Sequence, residues 1–254
     1  VKYTAIVLAG SRPGRDPFAA QYGAEIKALI PISGEPMVRR PVRALLASEE
    51  IGDVIVLSQA PDAIVDSLPK DNRLTFRKSG DTIASTMLEL CFERDTKWPL
   101  LVTTADHALL DTAMVDEFCR AARDEDLAVG VVERETLLGR LPDTKRTWLR
   151  FRGGAYTGAN LFALQSPKVA AAIELWRSVE QDRKKGWRIV SLLGPIVLIG
   201  AVLRMLSIDD VLASLGRKIG LNACAVRLSN PLAGVDVDKP DDHALAEAIL
   251  EGRA

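Results

Sequence analysis

Residues 3–132 alternate short β-rich apolar runs with longer amphipathic ones, and this alternation restricts the possible folds more than any other feature of the chain. The runs Tyr3–Leu8, Asp53–Ser58, Leu74–Lys78, Leu100–Thr103 and Ala128–Val132 have the length and apolar character of strands. Between them, Pro36–Ser48, Ala63–Leu68, Thr82–Glu93 and Thr112–Asp124 repeat apolar positions every three to four residues, as helices packed on a sheet do. Repeated strand–helix alternation predicts an α/β fold, a three-layer α/β/α sandwich around a mainly parallel sheet. Crossovers in such a fold are right-handed, and ligands gather at the carboxyl ends of the strands. Gly10, Gly80 and Asp106 each fall just after a predicted strand, so the fold is expected to bring them to one edge of the sheet.

The second half is less regular. Thr144–Arg152 and Gly158–Leu164 read as strands joined by a turn-rich GGAYTGAN segment, Pro167–Asp182 as a helix, Ala223–Leu228 as a last strand and Pro240–Glu251 as a closing helix. Residues 183–220 read as a basic and then apolar helical insertion within one domain that spans 1–254. The chain has neither an internal repeat nor a low-complexity linker.

A net charge of −1 argues against broad nucleic-acid binding, which needs a strongly basic face. The cysteines, Cys91, Cys119 and Cys224, lie far apart in apolar or helical contexts. They read as buried free thiols in a reducing, cytoplasmic setting, not as a zinc site or disulfide framework. The N-terminal residues read as a strand and not as a secretion signal.

The loop after Tyr3–Leu8 carries the first chemical signal. Ala9 and Gly10 end the strand abruptly, and SRPGRDP follows. Glycine lets a backbone approach an anion closely and tolerates φ > 0. Unpaired backbone N–H groups in such a turn form an anion-binding concavity, to which Arg12, Arg15 and Lys27 add positive charge. This pattern fits a nucleoside triphosphate. GxxxxGK[ST] and GxGxxG are both absent, which disfavours a P-loop and a dinucleotide-binding Rossmann site.

Two acidic turns supply the second signal. Asp106 ends the buried run PLLVTTAD, where a carboxylate suits Mg²⁺, a hard cation that keeps waters and bridges to substrate phosphates. The plainer reading of Asp106 is a helix cap or a solvated turn. Near the C-terminus, Gly234-Val235-Asp236-Val237-Asp238-Lys239-Pro240-Asp241-Asp242 places Asp238 before a helix-starting Lys-Pro, so its plainer role is to cap that helix. Two carboxylates from distant parts of the chain could instead complete a divalent-metal clamp.

In order and spacing, Leu8-Ala9-Gly10, the basic loop, Lys27, Gly34-Glu35-Pro36-Met37, Thr104-Ala105-Asp106 and the 237–242 turn resemble the MobA-like NTP-transferase superfamily. Members are nucleotidyltransferases of GT-A-like fold that activate a phosphorylated sugar, alcohol or cofactor precursor. The resemblance implies that Leu8, Ala9, Gly10, Ser11, Arg12 and Gly14 hold the triphosphate, with Arg12 and Lys27 neutralising developing charge. It implies Mg²⁺ at Asp106 and Asp238, and nucleobase contacts around Ser79, Gly80, Ala84 and Ser85. The catalytic set it implies is Lys27, Arg12 and Asp106. Departures from the family pattern are Ser11 in place of a second glycine, Lys239 in place of a threonine, and His107 after the metal aspartate.

The mechanism implied is attack of an acceptor phosphate on the α-phosphorus of an NTP, with pyrophosphate leaving. It needs no nucleophile–base pair, and His107 and His243 offer none; His243 reads as a surface or packing residue. Acceptor binding is expected in the second half. A strand over 144–152 would put Arg146, Trp148, Arg150 and Arg152 on one face and Lys145 on the other. Arginines there could grip a phosphate bidentately, or simply be a solvated face. By the resemblance, Gly158 and Asn160 form the family's G-x-N acceptor turn. The uncharged run Ile189–Leu203 is shorter than the ~20 residues of a spanning helix. It reads as a buried helical hairpin or, given its basic flank, as a peripheral membrane contact through 183–204. Alternative functions are a GT-A glycosyltransferase, disfavoured because Asp106-His107-Ala108 lacks a D-x-D, and a non-catalytic nucleotide-binding membrane-peripheral protein.

Overall fold

The computed structural model describes residues 1–10, 16–80, 82–180 and 205–254. The chain runs through β1 (Tyr3–Leu8), α1 (Pro17–Gln21), a short hairpin of β2 (Pro31–Ile32) and β3 (Glu35–Pro36), α2 (Arg39–Ala47), β4 (Ile51–Ser58), α3 (Asp62–Val65) and β5 (Leu74–Lys78). There follow α4 (Ile83–Phe92), β6 (Leu100–Thr104), α5 (Thr112–Ala121), β7 (Leu127–Glu133), α6 (Arg134–Arg140), β8 (Leu149–Phe151) and β9 (Gly154–Leu164). The last described elements are α7 (Ala170–Glu180), α8 (Ile208–Lys218), β10 (Ala223–Arg227) and α9 (Pro240–Leu250).

Seven strands form one sheet in the order β10-β7-β9-β6-β1-β4-β5, with β8 added against β9. β6, β1, β4 and β5 are parallel, β10 is parallel to β7, and β9 runs antiparallel to both β6 and β7. The sheet is therefore mixed and mostly parallel. Alternation along β1 shows why three layers form. Tyr3, Ala5 and Val7 enter one apolar cluster with Leu45 of α2, Phe118 of α5 and Ala246 of α9. Ile6 enters a second cluster with Met87 and Leu88 of α4 and Ile173 of α7. Each fully buried aliphatic side chain contributes about 1.5–3 kcal/mol, so β1, buried on both faces, anchors both layers.

Helix starts follow side-chain chemistry. Thr82 caps α4 by accepting the Ser85 N–H at 3.1 Å, and Asp111 caps α5 by accepting the Met114 N–H at 2.8 Å. Ser207 and Asp210 form a reciprocal capping box at α8.

Several expectations need correction. Pro36 belongs to a hairpin, not to α2, because Ser33 and Gly34 (φ 47° and 79°) make a tight two-residue turn between β2 and β3. α3 starts and ends earlier than expected and is a single turn, Asp62–Val65. The expected strand over 144–152 is reduced to Leu149–Phe151, since only Leu149, Arg150 and Phe151 find partners on β9. α6 went unforeseen: RETLLGR is too short to display a clear period. α8, within the segment read as an insertion, packs on β10 through Ile208 and Ala225. The apolar run 189–203 lies outside the described residues, as does the basic segment before it. No helix among the described residues is long and apolar enough to cross a membrane.

Gly216, inside α8, sits where a Cβ would lie 2.6 Å from the Leu221 carbonyl oxygen. Ala has the better helix propensity by ~1 kcal/mol, but that backbone contact has nowhere to move. Gly216→Ala should therefore destabilise the protein by about 1–2 kcal/mol in chemical denaturation, against its propensity.

Candidate active site

The parallel register of β1 and β6 pairs Leu8 with Thr104, and the Ala105 N–H continues it by donating to the Leu8 carbonyl at 3.0 Å. The Ala9 N–H donates to Leu57 and the Ser79 N–H to Ser58, both at 2.8 Å, at the ends of β4 and β5. The turns after β1, β5 and β6 thus open on one carboxyl edge, the edge where ligands bind in such sheets. Ser11, Arg12, Gly14 and Arg15 lie outside the described residues.

Gly10 does not adopt a positive φ, so its conformational freedom is not what the turn uses. Space is. A Cβ there would lie 3.2 Å from the Gln59 amide nitrogen and 3.4 Å from Ile83 Cδ1. At the end of β5, the Gly80 N–H donates to Thr86 Oγ1 at 2.9 Å, and Thr82 Oγ1 and Ser85 Oγ lie 2.8 Å apart. These bonds hold Ser79 and Gly80 against the first turn of α4. Ser79 Oγ is buried without a hydrogen-bond partner.

Lys27 joins the two acidic turns. It opens a 3-10 turn, Lys27–Leu29, whose chain is fixed by the Val38 N–H donating to Ala28 at 3.0 Å and the Met37 N–H donating to Ile30 at 2.9 Å. The β2–β3 hairpin then docks on α9: the Ser33 N–H donates to Glu247 at 3.0 Å, and His243 Nε2 lies 2.7 Å from the Pro31 carbonyl. The Tyr22 ring stacks on His243 with centroids 4.2 Å apart. His243 is accordingly a packing residue, buried between α9 and the hairpin. This packing carries Lys27 Nζ to 2.6 Å from Asp106 Oδ2 and 2.5 Å from Asp238 Oδ1. Burial alone would pull the Lys27 pKa down, but the charge and hydrogen bond of Asp106, then those of Asp238, outweigh it and raise it. Neither carboxylate is the N-cap of the helix that follows it. α5 is capped by Asp111, and the N-cap of α9 is Lys239.

The Val235–Asp238 segment is extended, with Val235 and Val237 fully buried and the two aspartates on the opposite face. Its backbone is tied to the other acidic turn by the Val237 N–H, which donates to the Asp106 carbonyl at 3.0 Å. Asp236 is held by Arg146 Nη1 at 2.5 Å, and Asn160 Nδ2 lies 3.5 Å from its other oxygen. Burial first, and then the charges of Asp238 and, beyond Arg146's opposing pull, Asp106, raise the Asp236 pKa. Asn160 reaches this position because β9 bulges against β7 between Gly158 and Phe162, with Asn160 at φ 48°.

The expected acceptor residues separate. Arg146 and Trp148 turn inward, Trp148 beneath the Arg134 guanidinium at 5.9 Å. Arg150 is exposed, and Arg152 pairs with Asp210 at 3.2 Å on α8, so the four do not share a face. The strand that would have aligned them begins only at Leu149. Lys145 is exposed and with Arg140, Thr144, Lys239 and Asp241 lines a cavity of about 480 Å³ next to the Asp238 turn. Arg146 and Asn160, which sequence reasoning placed on the acceptor, both face Asp236.

Among the described residues, no group of three or more His, Cys, Asp or Glu side chains is arranged to hold a metal. The Asp106–Asp238 pair still fits a divalent cation of the Mg²⁺ type, which takes one or two carboxylates and completes its shell with water and phosphate. Asp106 Oδ1 is buried and lacks a hydrogen-bond partner, an unmet acceptor that a cation would satisfy. The thiols take no part. Burial pushes Cys91 and Cys224 up to about 11, and Cys119 further up.

His107 follows Asp106 and is fully enclosed. Burial lowers its pKa to about 4, against the opposing pull of the Asp106 charge and the Ala233 backbone, and neither ring nitrogen makes a hydrogen bond of ordinary geometry. A folded-state pKa below the unfolded value means that the unfolded chain binds the extra proton first. The neutral ring's contribution is therefore complete above about pH 6.5 and is lost as pH falls toward 4. Stability measured from pH 7 to 4.5 should decline less in His107→Gln than in the parent, by about 2 kcal/mol.

Residues 5–192 match the MobA-like NTP transferase domain. A structure described as a hypothetical transferase from Thermus thermophilus is 30% identical, with a TM-score of 0.79, covering 96% of this chain and 100% of its own. A CMP:2-keto-3-deoxy-manno-octonic acid synthetase complexed with CTP shares the fold at 12% identity and TM-score 0.60, covering 100% of both chains. So does a 4-diphosphocytidyl-2C-methyl-D-erythritol synthase from Anaerococcus prevotii, at 11% identity and TM-score 0.59, covering 98% of this chain and 96% of its own. No curated protein matches the sequence. With the domain matched over most of its length and a Lys27–Asp106–Asp238 constellation at the carboxyl edge of its sheet, the chain belongs to the MobA-like NTP transferase family of nucleotidyltransferases.

Proposed function

We propose that this nucleotidyltransferase moves an NMP from an NTP to a small phosphorylated acceptor, a sugar, polyol or cofactor- or lipid-precursor phosphate, with Mg²⁺ and release of pyrophosphate. The observation that carries the reading is the meeting of Lys27, Asp106 and Asp238 beside the turn after β1. An acceptor phosphate is ionised at neutral pH and needs no base to activate it, so the protein's task is positioning and charge stabilisation. Asp106 and Asp238 would hold the metal, which when bound supplies charge neutralisation on the phosphates. The backbone after Leu8 through Gly14 would cradle the triphosphate, with Arg12 and Lys27 balancing negative charge as it shifts to the leaving group. Ser79, Gly80, Ala84 and Ser85 would meet the nucleobase, and the unpartnered Ser79 Oγ supports that placement. Lys145, Arg150, Gly158 and Asn160 are the acceptor-side candidates; Lys145 has the support of the cavity it lines. Asp236-x-Asp238 has D-x-D spacing, but Asp236 is engaged by Arg146, which weighs against a glycosyltransferase metal site.

A pyrophosphate-release assay across CTP, GTP, UTP and ATP with a panel of phosphorylated sugars and polyols tests the reaction. One NTP–acceptor pair should release pyrophosphate and lose that activity in EDTA; NTP binding without release from any pair would defeat the reading. Asp106→Ala should lower kcat at least 10³-fold, and Lys27→Met by about 10²–10³, each with the parent's circular dichroism.

A further inference from the structure

Arg146 is nearly enclosed, its side chain 8% exposed, and both ends of its fork are committed to carboxylates. Nη1 donates to Asp236 Oδ1 at 2.5 Å, and Nη2 lies 3.2 Å from Asp242 Oδ1. Nη1 also donates to the Asp236 carbonyl at 3.3 Å. Asp242, itself 9% exposed at its side chain, uses its second oxygen to accept the backbone N–H of Asp238 at 3.3 Å. Arg146 therefore grips the residue two before Asp238 directly, and Asp238's own backbone through Asp242. From the other side, the Val237 N–H ties the same segment to the Asp106 carbonyl. A planar guanidinium offers each carboxylate its own nitrogen in a fixed fork, a geometry that the single nitrogen of a lysine on its flexible stem does not reproduce. A phosphate-gripping arginine would have to present N–H groups to the cleft, and both terminal nitrogens of Arg146 are already engaged.

We infer that Arg146 is a positioning residue: through Asp236 and Asp242 it fixes the 236–242 turn so that the Asp238 carboxylate stays opposite Asp106. The inference rests on the reading that Asp106 and Asp238 hold the divalent cation. It removes Arg146 from the acceptor-binding set, and it explains why an arginine is buried beside acidic residues that must themselves stay in place.

The test compares the parent with Arg146→Lys, which keeps the charge and loses the fork. Two readouts are taken: Mn²⁺ binding by electron paramagnetic resonance, and amide hydrogen exchange over residues 236–242. Groups that orient a metal's ligands are typically worth 10–100-fold in affinity, so Arg146→Lys should bind Mn²⁺ at least tenfold more weakly. Its Val237, Asp238 and Asp242 amides should exchange faster. Phe118→Leu, a core change far from the turn in sequence, should lower the melting temperature and leave both readouts at parental values. Parental Mn²⁺ affinity together with parental exchange in Arg146→Lys overturns the inference. If the parent binds Mn²⁺ no better than Asp106→Ala, the metal reading fails, and unchanged exchange in Arg146→Lys then overturns the positioning role separately. Should Arg146→Lys not fold, Asp242→Asn, which keeps the side chain's shape, carries the same expectations.

Discussion

One ammonium between two carboxylates organises the functional end of this molecule. Lys27 and Asp106 are 79 residues apart in the chain, and Lys27 and Asp238 are 211 apart, yet each pair is in direct contact. Three separate pieces of packing make that possible. The β1–β6 register delivers Asp106, the β2–β3 hairpin delivers Lys27, and α9 docks on that hairpin while its leading segment delivers Asp238. Bringing distant groups together costs conformational entropy, and the apolar contacts around β1 and α9 offset it.

The electrostatics are compatible with the divalent cation proposed for this site. Asp106, Asp236 and Asp238 lie close enough to act on one another, and among the described residues Lys27 and Arg146 are cations that touch them. Burial first, and then the neighbouring charge of Asp238, raise the Asp236 pKa, with Arg146 pulling the other way. Arg146 is occupied by structural contacts, and Lys27 spans the mouth of the pair. A bound divalent cation fits this balance and would let Lys27 face phosphate.

Much of this was legible in the chain before folding was considered. β1, β5, β6 and β7 lie within a residue of their predicted bounds, because short apolar runs between turn signals constrain strands closely. Lys27, Asp106 and Asp238 were legible as motif positions, although nothing local shows that they touch. The strand over 144–152 was misread because alternating Arg and Trp mimic a strand face, while backbone pairing depends on where β9 runs. The contacts of Arg146 were hidden for a related reason. Its partners are 90 and 96 positions away, and a basic residue in a polar stretch looks the same whether it waits for a phosphate or holds an aspartate.

Local periodicity and turn chemistry in the sequence determined the α/β class, the parallel core strands and the small-residue turns at their ends, since those depend on neighbours within a few positions. The sequence also determined which residue types stand after each strand. Tertiary structure alone decided that Lys27 lies between Asp106 and Asp238, that a bulge in β9 turns Asn160 toward Asp236, and that Arg146 closes on Asp236 and Asp242. Those outcomes depend on sheet order, hairpin docking and the path of the chain between distant segments, and no spacing along the sequence encodes a distance across the fold.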